Sequence, residues 1–308
     1  MIFIGVDGGG TTTRAAVVRF SANEPEVLGS GFAPSSNLYS VGIEAATRHI
    51  ENAVNDAFFS AHISRDDIRG WGLGLAGACT RDEQNLWRQQ LAPLLHNAQI
   101  VVDEDVVAAH RGAFASHHIA ERAGVICIAG TGANSFGIDS RGNRARADGL
   151  GPLLGDRGSG YRIGEAALRA ICGAHDGSAP NTALLVRVLD HFAASSVDAL
   201  VPIVYAPTFT KDKIAKIVPI VLQCAHENDA VAQELLDRAA QELAATCAAV
   251  MCKLKTRRVT THGGLLSENS LVHTAFFKHL RLRLENVERC QQRYDATLGA
   301  ALLASDAI

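Results

Sequence analysis

The apolar residues at the start of the chain come in two short runs around a polar, glycine-rich break. IFIGV (2–6) precedes DGGGTTT (7–13), and RAAVVRF (14–20) follows. Threonines and valines on the far side favour strand over helix. The pattern predicts strand, glycine-rich turn, strand: a hairpin closing over a loop. Between 41 and 62 the period changes, with Ile43, Ala46, Ile50, Ala53, Val54 and Phe58 at the spacing of a helix with one buried face. IRGWGLGLAG (68–77) reads as a buried strand, a helix follows through LWRQQLAPLL (86–95), and QIVV (99–102) is a short strand ending at Asp103, Glu104 and Asp105.

A second cycle begins near residue 120. GVICIAG (124–130) is a buried strand, and TGANSFGIDSRGNRARA is a glycine-punctuated turn followed by another strand. GLGPLLGDRGSG (149–160) is a long glycine-rich loop. Helices dominate from Tyr161, including an amphipathic stretch over 226–255, before RRVTTHGG (257–264) returns a strand that runs into paired glycines. DATLGAALLAS (295–305) is a small-residue helix. The strand–glycine loop–strand pattern thus occurs twice, which predicts two similar α/β halves facing a cleft. The boundary is expected near 112–120, giving an N-terminal lobe over 1–117 and a larger C-terminal lobe over 118–308. The terminal helix, 295–308, is a candidate to pack back on the first lobe.

Composition narrows the function. Hydrophobic residues make up 47% of the 308 residues and charged residues 20%, enough apolar material for a sizeable core. A net charge of −3 argues against a nucleic-acid or anionic-membrane partner. No apolar run approaches the ~20 residues of a membrane-spanning helix, and the N-terminus lacks the basic segment of a signal peptide. The seven cysteines include no CxxC pair and fit neither a disulfide framework nor a structural zinc site. A reducing, cytoplasmic compartment is expected.

DGGGTTT carries the most chemistry. Glycines with unrestricted φ let backbone N–H groups converge on phosphate oxygens, and Thr11, Thr12 and Thr13 add hydroxyl donors. Asp7, at the strand's end, is a hard oxygen ligand suited to Mg²⁺, directly or through water. There is no GxxxxGK[ST] sequence and no lysine before position 211, so a Walker-type loop is excluded. AGTGANS (129–135) repeats the chemistry: Gly130, Thr131 and Gly132 can cradle a second phosphate face, and Asn134 and Ser135 can reach a polar substrate. Gly263 and Gly264 can leave a surface without side chains for a base or ribose. A dinucleotide fingerprint over Gly72, Gly74 and Gly77, with Asp103 downstream, is set aside because ACTRDEQ separates its glycines from the next helix, with Thr80 as the expected N-cap. Asp105 and Asp156 are the candidate carboxylates for accepting a sugar proton and fixing a sugar's pose.

Together these stretches resemble the N-acetylglucosamine kinase-like group of the BadF/BadG ATPase family, within the superfamily of sugar kinases, actin and heat-shock ATPase domains. The carriers are DGGGTTT at 7–13, SSNL at 35–38, GLAG at 74–77, the acid before VVAAHRGAF at 105, AGTGANS at 129–135, GLGPLLGDRGSGYRIG at 149–164, HGG at 262–264 and DATLGAALLA at 295–304. The resemblance implies two ribonuclease-H-like lobes of the actin-like ATPase class, and an ATP- and Mg²⁺-dependent kinase for the 6-hydroxyl of an amino sugar. N-acetylglucosamine is the first choice, glucosamine the second, and a regulatory ATPase without a sugar substrate the rival from another class.

Position by position, the resemblance implies that Asp7, Gly8, Gly9, Gly10, Thr11 and Thr12 hold the Mg-ATP phosphates, with Asp7 toward the metal. Thr131 and Gly132 form the second phosphate loop, and Gly263 and Gly264 lie at the adenosine. Asn37, Gly77, Asn134 and Asp156 bind the sugar, and Asp105, with Asp103 as its rival, takes the 6-hydroxyl proton. Two departures stand out: GDRGSG places Arg157 where the family usually has an acid, and VVDEDVVAA replaces a frequent Asn-Asp pair. The small-residue helices are compatible with a homodimer.

Overall fold

The computed structural model describes residues 1–21, 24–94 and 98–308. The chain separates into two compact units, Met1–Ala123 with Gln291–Ile308, and Gly124–Cys290. Each is built on one five-stranded sheet.

In the first unit, β1 (Ile2–Gly8), β2 (Thr12–Arg19), β3 (Glu26–Pro34), β4 (Ile68–Leu75) and β5 (Gln99–Glu104) lie in the order β3-β2-β1-β4-β5. The β1–β2 and β2–β3 pairs are antiparallel, and β1–β4 and β4–β5 are parallel. The second unit repeats this arrangement. Its strands β6 (Gly124–Ala129), β7 (Ala133–Ile138), β8 (Arg144–Asp148), β9 (Arg258–His262) and β10 (Glu288–Arg289) lie in the order β10-β9-β6-β7-β8. Here too the hairpin pairs are antiparallel and the crossover pairs parallel. The duplicated strand–loop–strand pattern in the sequence is a duplicated sheet topology.

The helices of the first unit are α1 (Leu38–Val41), α2 (Ile43–Ala61), α3 (Arg81–Leu91), α4 (Asp105–Ala113) and, from the end of the chain, α13 (Ala296–Asp306). Those of the second are α5 (Gly151–Leu154), α6 (Gly160–Asp176), α7 (Leu184–His191), α8 (Val197–Val204), α9 (Lys211–Ala215), α10 (Val218–His226), α11 (Ala230–Leu254) and α12 (Leu271–Arg283). The helix expected through 86–95 ends at Leu91, and Leu95 lies outside the described residues. The strand expected over 99–102 runs on to Glu104, so Asp103 and Glu104 belong to the sheet and Asp105 opens a helix.

The strand β4 shows how sequence becomes layers. Trp71, Leu73 and Leu75 point to one face and are fully buried with Ile4, Val6 and Val17 beneath Ile50, Val54 and Phe58 of α2. Gly70, Gly72 and Gly74 occupy the other face. A Cβ at Gly72 would lie 1.8 Å from the Ala300 carbonyl oxygen of α13, and one at Gly5 in β1 would lie 2.0 Å from that of Thr297. Contacts this short with backbone cannot be relieved by a rotamer change, so α13 rests directly on the sheet because these residues have no side chains.

Small residues also join α13 to α4: a Cβ at Gly299 would lie 1.9 Å from the Ala108 carbonyl oxygen, and one at Gly112 2.1 Å from that of Asp295. The far end of α13 is clamped by charge. Arg111 and Arg122 each place two nitrogens on the Asp306 carboxylate, at 2.8 to 3.2 Å.

The edge strand β3 carries no hydrophobic alternation, and nothing in its residues, EVLGSGFAP, signals a strand. It forms because Gly29 and Gly31 let α2 lie against it; a Cβ at Gly31 would lie 2.0 Å from the Ala53 carbonyl oxygen. Glycine depresses strand propensity, and the tertiary contact overrides it.

Gly72→Ala is expected to destabilise the fold by about 3 kcal/mol or more, through overpacking against backbone. Gly10→Ala, at a position with nothing within 4 Å of the added carbon, is expected to shift stability by less than about 0.5 kcal/mol. Urea unfolding of the two variants checks this, and equal losses would refute the close-approach account.

Candidate active site

The loop between β1 and β2 is held from below. The amide of Gly9 donates to the Thr12 carbonyl at 3.0 Å, and the Gly8 carbonyl accepts from the Ala76 amide at 2.7 Å. Ser35 donates its hydroxyl to the Gly9 carbonyl at 3.1 Å and accepts from the Asn37 amide at 3.2 Å. None of Gly8, Gly9 and Gly10 has a positive φ. Conformational freedom is therefore not why this glycine triplet exists, which corrects the expectation from sequence. Gly8 is needed because a Cβ would meet Ser36 Oγ at 2.4 Å and Leu75 Cδ2 at 2.5 Å, whereas Gly10 borders open space. A trans peptide holds its N–H opposite its C=O. With the Gly9 carbonyl turned to Ser35, the Gly10 amide points the other way.

The three threonines divide. Thr11 and Thr12 are exposed. Thr13 is fully buried, with its hydroxyl 2.7 Å from the Pro34 carbonyl and 2.9 Å from Ser36 Oγ. The carbonyl can only accept, so Thr13 donates to it and Ser36 supplies the second hydrogen bond. Thr13 fastens the 34–36 segment and is not a ligand donor, contrary to its reading from sequence.

Asp7 ends this strand on the sheet face covered by α4 and α13. The charges around it are Asp105, Arg14, its cross-strand partner, and Asp295 at the start of α13. Burial and then the Asp105 carboxylate push its pKa from the usual 3.8 up to about 7, against the pull of Arg14. Asp103 sits across Gly74 from Asp7 in the sheet register, and it does not figure among the charges acting on Asp7. Asp105 does, and it opens α4 with its Oδ1 accepting from the Val106 amide at 2.8 Å. Of the two acids, Asp105 is the one whose charge bears on Asp7.

Asn37 caps α1, its Oδ1 accepting from the Tyr39 amide at 2.9 Å, so only its NH₂ end remains for a ligand. Gly77 adopts φ +88° in the turn after β4, where its α-carbon packs on Leu38 and Tyr39. The SSNL and GLAG segments therefore meet beside the glycine loop. The next helix starts at Arg81, four residues past Gly77, with a reciprocal capping box between Thr80 and Glu83. A dinucleotide helix would begin within the glycines; here Gly72 and Gly74 are spent on packing.

The second unit has its own loop between β6 and β7. The first two amides of α6, from Gly160 and Tyr161, donate to the carbonyls of Gly130 and Thr131 at 2.8 and 3.1 Å. By the same peptide geometry, the amides of Thr131 and Gly132 face away from α6. A Cβ at Gly130 would meet nothing within 4 Å. The turn after β9 lies alongside: a Cβ at Gly263, which has φ +95°, would meet the Ala129 carbonyl at 2.3 Å, while Gly264 is open. Of the two, Gly263 shapes the turn and Gly264 leaves room.

Beneath this loop lies a carboxylate assembly that sequence reasoning found only in half. Asp156 is buried, with φ +57°, and its Oδ1 accepts from the Ala133 amide at 3.2 Å. Burial raises its pKa, opposed by the Ala133 amide and by Lys211. Asp148 was missed. Its carboxylate accepts from the amides of Gly149, Asp156 and Arg157 at 3.0, 2.6 and 2.9 Å and from Arg157 Nε at 3.0 Å. Asp148 is the knot of the 148–157 loop, and Arg157 is its partner. Two further signals were in the sequence: an aspartate directly before Gly149, and Lys211 as the first lysine of the chain. Asn134, opposite Asp148 in the register, has a buried Oδ1 with no hydrogen-bond partner, and such an acceptor favours a hydroxyl or amide donor.

The donor sets suit the groups expected from sequence. Outward amides at Gly10, Thr131 and Gly132 with exposed threonine hydroxyls fit phosphate oxygens, and a paired, half-buried carboxylate at Asp7 fits a hard divalent cation. The family model described as the BadF/BadG/BcrA/BcrD ATPase family matches residues 4–304. The chain belongs to the BadF/BadG/BcrA/BcrD ATPase family. Among its relatives, an N-acetylmuramic acid/N-acetylglucosamine kinase of Clostridium acetobutylicum is 28% identical over 98% of this chain and 97% of its own length. A glucosamine kinase of Vibrio cholerae is 31% identical over 78% and 77%. A crystal structure of a Chromobacterium violaceum protein superposes with a TM-score of 0.76 at 26% identity, covering 98% of both chains. The fold of this ATPase family member is that of the actin-like sugar kinases. No helix among the described residues is long and apolar enough to cross a membrane.

The raised pKa of Asp7 sets a pH dependence. Its ionised form is disfavoured in the fold, so the cost is absent near pH 3.8, grows as pH rises toward 7 and is complete above it. Without nucleotide or metal, Asp7→Asn is expected to be more stable than the parent above neutrality, by on the order of 4 kcal/mol, and equal to it at acid pH. Thermal melts across that range check the sign, and a destabilised Asn variant at high pH would overturn it.

Proposed function

We propose that the protein transfers the γ-phosphoryl group of ATP to the 6-hydroxyl of an amino sugar, N-acetylglucosamine first and glucosamine second, as a cytoplasmic enzyme that requires Mg²⁺. The observation that carries this reading is the pairing of Asp105 with Asp7 at the end of the glycine loop. One carboxylate accepts a proton while the other sits where phosphate charge must be neutralised.

In this mechanism the Asp105 carboxylate takes the proton of the 6-hydroxyl as its oxygen attacks the γ-phosphorus, and ADP leaves. Asp7 would hold Mg²⁺, which supplies charge neutralisation to the phosphates when bound. Amides of Gly10, Thr131 and Gly132, with the hydroxyls of Thr11, Thr12 and Thr131, orient the triphosphate. The NH₂ end of Asn37, Asn134 and Asp156 fix the sugar, and Gly264 leaves space at the adenosine. The resemblance assigns Asn37, Asn134 and Asp156 to a sugar, a role that an ATPase switch without a sugar does not need.

A coupled ADP-release assay with N-acetylglucosamine, glucosamine, N-acetylmannosamine and glucose tests the reading. Sugar-dependent ADP release is expected, abolished by chelating the metal and lowered in kcat about 10³-fold by Asp105→Asn. ATP binding without sugar-dependent turnover would favour the switch. Asn134→Ala is expected to raise KM for the sugar by about tenfold, the equivalent of one lost hydrogen bond to a buried acceptor, with KM for ATP little changed. An unchanged sugar KM would remove Asn134 from the site.

A further inference from the structure

Within the second unit, away from the loop carbonyls already described, α6 and α11 form a groove. Arg162, Glu165, Ala166 and Arg169 stand one above another along α6, and Leu235, Arg238, Ala239 and Glu242 do so along α11. Both sets have the i, i+3, i+4, i+7 spacing of a single helix face. Arg157 and Gly158 close one end, and the groove has a volume of about 330 Å³. The groove exists because each helix puts an alanine, Ala166 or Ala239, at its floor. Gly158, with φ +73°, lets the closing loop press on α11, where a Cβ would lie 2.4 Å from the Ala239 carbonyl oxygen.

The charge in the groove is lopsided. Four guanidinium groups line it against two carboxylates. Glu165 is held by Arg162 at 3.0 Å and Arg169 at 3.1 Å, and Glu242 lies 3.6 Å from Arg238. Arg157 gives its Nε to Asp148, and its two terminal nitrogens make no hydrogen bond among the described residues; Arg238 makes none there either. Planar forks with unused donors, gathered around a small concave site, match the oxygens of a phosphate dianion, which needs more than one guanidinium to balance it.

We propose that this groove is a binding site for a phosphate-bearing small molecule of sugar-phosphate size. The apolar floor of Ile163, Leu235 and the two alanines takes the carbon skeleton, and Arg157, Arg169 and Arg238 take the phosphate. The site is separate from the residues assigned to phosphoryl transfer, and binding there does not depend on which sugar the protein phosphorylates. Two residues of its lining touch the 148–157 loop: Arg157, whose Nε and amide hold Asp148, and Arg162, which donates to the Gly155 carbonyl at 3.2 and 3.3 Å.

The test uses the full-length protein saturated with N-acetylglucosamine, so that a sugar phosphate cannot report through the sugar site. Inorganic phosphate and glucose 6-phosphate are titrated by calorimetry against chloride at equal ionic strength, for the parent and for Arg169→Gln/Arg238→Gln. Both replaced side chains are largely solvent-exposed, so the variant is expected to fold, and circular dichroism verifies it. The single variant Arg238→Lys, which keeps the charge and loses the fork, provides a second reading. Saturable binding is expected in the parent, weakened about tenfold or more in the double variant and by an intermediate factor in Arg238→Lys. Tighter binding of glucose 6-phosphate than of phosphate identifies a sugar phosphate as the occupant, and equal binding identifies the phosphate group alone; either supports the site. Absence of binding in the parent, or equal affinity in the double variant, overturns it.

Discussion

The first unit depends on one close approach. The helix α13 lies on the backbone of β1 and β4 at Gly5 and Gly72, and against α4 at Gly299 and Gly112, with no side chain between. Dispersion and the exclusion of water over that contact are available only because every one of those positions lacks a Cβ. The consequence reaches the chemistry. Asp105 begins α4, Asp295 caps α13, and both carboxylates are thereby brought to the end of β1, where Asp7 sits. The pKa of Asp7 is a readout of that packing.

The arrangement is costly in the absence of ligand. A half-buried carboxylate next to another is disfavoured as an anion, and its pKa near 7 measures the conflict. Proteins store such conflicts where a cation or a transferred charge is to be received. The second unit solves a similar problem differently. Asp148 collects three amides and a guanidinium, so its charge is compensated within the protein, and the loop it shapes presents Asp156 to the amide of Ala133. Arg157 is thus a structural partner of Asp148.

Much of this was legible in the chain. Period-2 and period-3.6 patterns located β1, β2, α2, β4, β6, α11 and α13 to within a few residues, and the repeated strand–glycine loop–strand motif foretold the repeated sheet. The edge strand β3 was not legible, since its glycines lower strand propensity and its stability comes from α2. Asp148 was hidden for a related reason: an aspartate before a glycine is a weak local signal, and its importance lies largely in the amides of Asp156 and Arg157, eight and nine residues further on. In the glycine triplet no residue has a positive φ and Gly8 answers to space, a distinction local pattern cannot make, because sequence cannot separate a glycine needed for φ from one needed for space.

The sequence by itself determined the class of fold, the two glycine-rich loops and the inventory of carboxylates, because these follow from local periodicity and from residue types at short spacing. Only the tertiary structure decided which carboxylate acts on the charge of Asp7, which threonine is buried as a fastener and which are exposed, and which glycines are packed and which face open space. Those questions turn on contacts between residues as far apart as Gly72 and Ala300, and no local pattern encodes a distance of that kind.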